Sequence, residues 1–148
     1  AINAIGTNAG LWLDLRSEEQ QALEQIRQQV HDLIAATRRP GLVFEVEVVG
    51  NRPAGAIDTR HPLVQGALTA LEQVNVRGAL ETGSTDGNVS LHAGCPTVTI
   101  GITRGGNAHR LDEYIETTPV KSGLRQLITL TMAAAQYQSV QHEKAAGD

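Results

Sequence analysis

From Leu11 to Leu15 apolar residues alternate with Trp12 and Asp14, and Arg16 closes the run, which is the period-2 pattern of a strand with one buried face. Ser17 then stands where a helix would be capped. Glu18 and Glu19 behind it favour the positive end of a helix dipole, and Leu23, Ile26, Val30, Leu33 and Ile34 recur at helical spacing. Arg39-Pro40-Gly41 ends that helix. Leu42 to Val49 is rich in valine, with Glu45 and Glu47 on one face, and reads as a second strand.

Between Asn51 and Arg60 the chain loses periodicity and carries proline and glycine breaks, so a domain boundary is expected there, with residues 1–52 in one unit, 53–60 as linker and 61–148 in another. Beyond it, His61-Pro62 opens a helix whose Leu63, Ala67, Ala70, Leu71 and Val74 share a face. Ala79 to Thr82 reads as a short strand, Asp86 to Ala93 as a short helix, and Pro96 to Ile102 as a buried strand dense in β-branched residues. Thr118 and Pro119 start a long helix along which Leu124, Leu127, Ile128, Thr131 and Ala135 keep helical period, with a polar tail fraying after Gln138. The expected fold class is therefore α/β: a strand-helix-strand layer followed by a second set of alternating strands and helices.

Composition narrows the partners. The chain has 148 residues and a formal net charge of −4, with no basic stripe interleaved with aromatics, which argues against nucleic acid and against an anionic membrane surface. No apolar run reaches bilayer length. The single cysteine, Cys95, forbids an internal disulfide and fits a reducing, cytoplasmic compartment. The chain opens Ala-Ile-Asn without an initiator methionine, so the natural N-terminus is expected upstream.

Two loops invite chemistry. GSTDGN (Gly83 to Asn88) and RGGNAHRLDE (Arg104 to Glu113) would both leave the carboxyl ends of strands, where ligands of α/β sheets bind, and neither has a phosphate-loop spacing. His109 follows a glycine pair and precedes Asp112 and Glu113. Spacing alone allows it to be a solvated loop residue or a metal ligand oriented by those carboxylates. Arg16 is equally open, since it can pair with Asp14 or Glu19 at the surface or bind an anion.

The order DLRS, a helix, a valine-rich strand closing on NRP, then GSTDGN, CPTVTIGI and GGNAHRLDEY resembles the second half of the zinc exopeptidase and amidohydrolase family that includes aminoacylase, carboxypeptidase G, succinyl-diaminopimelate desuccinylase and tripeptidase T. The resemblance implies the end of a lid, or dimerisation, domain up to Arg52 and the C-terminal part of an α/β zinc-peptidase catalytic domain after it. It further implies that His109 is a zinc ligand, that Asn3 and Arg16 hold the substrate's carboxylate or oxyanion with Arg52 as an auxiliary, and that Gly83 meets substrate through its backbone. The resemblance also implies two zinc ions in the complete enzyme, with cobalt or manganese as substitutes, and short peptides or N-acyl amino acids as substrates. A homodimer is the implied assembly.

The departures matter as much. The family's HxD pair is absent, and the only Glu-Glu pair, Glu18-Glu19, lies at the start of the lid helix. One histidine cannot provide a two-metal site or its general base. The chain is thus expected to be an inactive part of such an enzyme. The alternatives are a non-catalytic dimerisation or interaction module and a small-molecule sensing domain.

Overall fold

The structure, a computed structural model, describes residues 6–146, with side chains described through residue 140. Four helices dominate it: α1 (Gln20–Thr37), α2 (Pro62–Glu72), α3 (Gly87–His92) and α4 (Val120–Ala146), with β1 (Gly105–Gly106) and β2 (Tyr114–Ile115) between the last two. The expectation of an α/β fold is corrected by this architecture, because the described sheet consists of those two antiparallel strands of two residues each.

The chain divides into two compact units, residues 1–54 and 55–148. In the first, α1 starts two residues later than the sequence suggests. Glu19 occupies its N-cap position without a side-chain bond, while the Ser17 hydroxyl accepts the Glu19 N–H at 3.1 Å. The apolar stripe of α1 is only half covered: Leu23, Val30 and Ile34 are intermediate and Leu33 is exposed. Ala54 is the one buried residue among those described in this unit.

Neither Leu11–Arg16 nor Leu42–Val49 forms a strand. The reason is physical: a valine-rich segment becomes a strand only when a neighbour takes its N–H and C=O groups, and β-propensity measures that context more than the backbone. Trp12 at 85% and Val43 at 87% exposure mark how little covers these segments.

The second unit has a core. His61 opens α2, its Nδ1 accepting the Leu63 N–H at 3.1 Å, and Pro62 fills the first turn, where a missing N–H costs nothing. Ahead of it, Asp58 accepts the Arg60 Nη2 at 2.8 Å and the Arg60 backbone N–H at 2.7 Å. Ala67 and Ala70 of α2 and Leu130 of α4 form the buried cluster, with Leu63, Val98 and Ile100 packed against it. Small residues on α2 let the two helices approach. Val98 and Ile100 belong to the segment read as a buried strand; they are partly buried, but the segment has no ladder partner, and Ala79–Thr82 likewise stays outside any strand. Helix α4 continues to Ala146, beyond the expected fraying point. Among the described residues no helix is long and apolar enough to cross a membrane.

The Asp58 carboxyl lies below the ordinary carboxylate range, first because the Arg60 side chain donates to it and then because the Arg60 N–H does. A carboxyl depressed in this way supports the fold above its unfolded titration point, and that support is lost as pH falls through its folded value. In Arg60→Ala the Asp58 titration followed by carbonyl NMR should move up toward the ordinary value while staying below it, since the backbone donor remains. An unmoved midpoint would show that the guanidinium has no hold on Asp58.

Candidate functional site

The GGNAHRLDEY segment forms a hairpin with a seven-residue loop. Its stem pairs Gly105 with Ile115 and Gly106 with Tyr114, and just outside it the Glu116 N–H donates to the Arg104 carbonyl at 2.8 Å while the Thr103 hydroxyl donates to the Glu116 carbonyl. The glycine pair has a steric cause. A Cβ at Gly105 would lie 2.5 Å from the Tyr114 carbonyl oxygen, and one at Gly106 would lie 2.8 Å from the Tyr114 ring. Glycine alone fits under that ring.

Inside the loop two turns follow one another, with the Arg110 N–H donating to the Asn107 carbonyl at 3.0 Å and the Glu113 N–H to the Arg110 carbonyl at 3.1 Å. Asn107 and His109 both take left-handed backbone, with φ of 58° and 65°. Asparagine and histidine enter this region more readily than most residues, but a β-carbon still disfavours it, so the surrounding bonds help to hold them there.

Those bonds come from the two carboxylates. Asp112 accepts from Asn107 Nδ2 at 2.9 Å and from Arg110 Nε at 2.9 Å, and Glu113 accepts the backbone N–H of His109 at 3.1 Å. Neither carboxylate orients the imidazole. The ring of His109 is exposed and, among the described residues, takes no part in the loop's hydrogen bonding.

The remaining sequence-derived candidates fall elsewhere. Arg16 is exposed and pairs with Asp14, its Nε and Nη2 donating to one carboxylate oxygen at 2.9 and 2.6 Å, so of its two open roles the structure displays the surface pair. That pair raises the Arg16 pKa and lowers that of Asp14, chiefly through the side-chain hydrogen bond. Arg52 is exposed in the first unit. Gly83 is exposed in the second, with open space where a Cβ would point, and forms no hydrogen bond with His109. Asn3 lies outside the described residues.

A zinc ion needs three or four converging protein ligands. Among the described residues no three His, Cys, Asp or Glu side chains are grouped to hold a metal. His109 thus offers one imidazole, and the described residues do not by themselves fit zinc. What spacing did not reveal is the self-contained bonding of the loop; Asn107, a residue at ease in left-handed backbone, was its only visible signal. A second feature went unseen, a cavity of about 280 Å³ between α2 and α4 lined by Pro62, Leu63, Gly66, Leu130, Ala133 and Tyr137. It is apolar and gathers no reactive group beyond the His61 cap. Comparison with protein-family models, with curated proteins and with solved structures finds no match.

Proposed function

We propose that this chain is the C-terminal part of a zinc-dependent exopeptidase or amidohydrolase acting on short peptides or N-acyl amino acids, and that it is silent by itself. The observation that supports this reading is the display of His109: a seven-residue loop gives one carboxylate to the side chains of Asn107 and Arg110 and the other to the His109 backbone N–H, and leaves the imidazole in solvent. A ligand offered in this way needs the rest of its metal site from residues beyond those described. In the complete enzyme Arg16, Asn3 and Arg52 would bind the substrate's charged end, Arg16 after leaving Asp14, a switch that an exposed ion pair permits because solvent and salt screen it.

The alternative, a non-catalytic dimerisation module, is favoured by one observation of its own. Leu11, Trp12, Leu13, Leu42, Val43, Val46, Val48 and Val49 are all more than half exposed in the first unit. Exposed apolar side chains in this number favour cover by a partner, here a second copy of the chain. The two readings are compatible, because a lid domain that dimerises still belongs to an enzyme.

One experiment addresses both. The purified chain, incubated with zinc or cobalt and a panel of dipeptides, tripeptides and N-acyl amino acids, should show no hydrolysis, while light scattering should report a dimer or larger species. Metal-dependent turnover would overturn the statement that the base and other ligands lie elsewhere, and a well-behaved monomer would remove the dimerisation reading.

A further inference from the structure

We infer that Glu113 is the positioning residue of the His109 loop: its carboxylate, by accepting the His109 N–H, holds that residue in left-handed backbone and so fixes the direction in which the imidazole is presented. Three observations carry this. His109 sits at φ 65°, a conformation that a β-carbon disfavours and that the chain must therefore be held in. Among the described residues, the His109 N–H donates to Glu113 Oε2 alone, at 3.1 Å. The neighbouring tie, Asp112 to Asn107 and Arg110, braces the turn on either side of His109 without touching His109 itself.

The division of labour is specific. Asp112 joins the two ends of the 107–112 turn, and Glu113 acts on His109, whose side chain takes no part in the loop's bonding. If the left-handed backbone relaxed to the ordinary right-handed or extended regions, the Cα–Cβ bond of His109 would swing to another direction, and any partner group waiting for the imidazole would be missed. A charged acceptor suits the task because a hydrogen bond to a carboxylate is stronger than one to a neutral oxygen. That the imidazole so presented meets a metal rests on the proposed function; the hold on the backbone does not.

The test is NMR on the full chain. In the parent, the His109 amide should be protected from hydrogen exchange relative to Ala108, and its HN–Hα coupling and backbone shifts should report positive φ. Glu113→Ala should abolish the protection and shift the coupling, while cross-strand contacts between Gly105 and Ile115 persist. Glu113→Gln keeps an oxygen that can accept the same N–H and should restore both signals. Asp112→Ala should perturb Asn107 and Arg110 but leave the His109 amide protected. Unchanged His109 signals in Glu113→Ala would overturn the inference, as would failure of Glu113→Gln to restore them with the hairpin contacts intact. If Glu113→Ala loses the hairpin itself, Glu113→Gln and Asp112→Ala decide the matter by the same signals. Unchanged zinc content of His109→Ala in the complete enzyme, with the Glu113 hold intact, would instead count against the proposed function alone.

Discussion

Gly123→Ala should destabilise the second unit by about 3 kcal/mol or more, the upper end of what overpacking a filled site costs. Gly123 lies in the first turn of α4 and is buried, and a Cβ built on it would fall within 2.6 Å of the Ile102 Cα and closer still to the carbonyl carbon and oxygen of that residue. The obstruction is backbone, which cannot turn aside as a side-chain tip can. Alanine is otherwise the better helix former by about 1 kcal/mol, so propensity predicts the opposite sign. Gly66→Ala supplies the control. Its Cβ would meet only Leu130 Cδ1 at 3.6 Å, an ordinary contact, and the substitution should be neutral or stabilising. Urea unfolding of the two variants separates the effects, and a Gly123→Ala midpoint equal to the parent's would show that α4 and the segment ending at Ile102 do not meet as described.

His109→Ala, made in the complete enzyme that the proposed function requires, should remove one zinc ligand and lower turnover by about 100-fold or more, beyond the 10–100-fold usual for losing a residue that merely supports a ligand. The thermal unfolding midpoint without metal should stay where it is. An exposed loop residue adds nothing to the Ala67, Ala70 and Leu130 cluster, and removing a left-handed histidine leaves the Glu113 bond to the backbone N–H in place. Zinc content by atomic absorption and kcat with a dipeptide provide the readouts. Parent-like values of both would assign His109 to the solvated surface.

The contrast between these two sites shows where the pattern of residues was informative. The helices were legible because a helix satisfies its own backbone: Leu63, Ala67 and Ala70 at helical spacing behind His61-Pro62 define α2, and Pro119 precedes α4. The GGNAH segment reads as a loop from its glycine pair, and it runs from the hairpin's stem into its loop. Strands were not legible in the same sense. Leu42–Val49 and Pro96–Ile102 have strand composition, but a strand is a property of two segments, and within these units neither finds a ladder partner.

By itself, then, the sequence determined the local matters: which stretches coil into helices, where the chain must break, and that one histidine follows a glycine pair. Tertiary structure alone decided that Arg16 rests on Asp14, that Gly123 is where α4 meets the backbone of Ile102, and that Asp112 and Glu113 grip the loop instead of the imidazole. The physical reason is range. Periodicity and capping act within a few residues and can be read along the chain, whereas close approach, ladder pairing and the choice among nearby hydrogen-bond partners depend on where separate segments are placed in space.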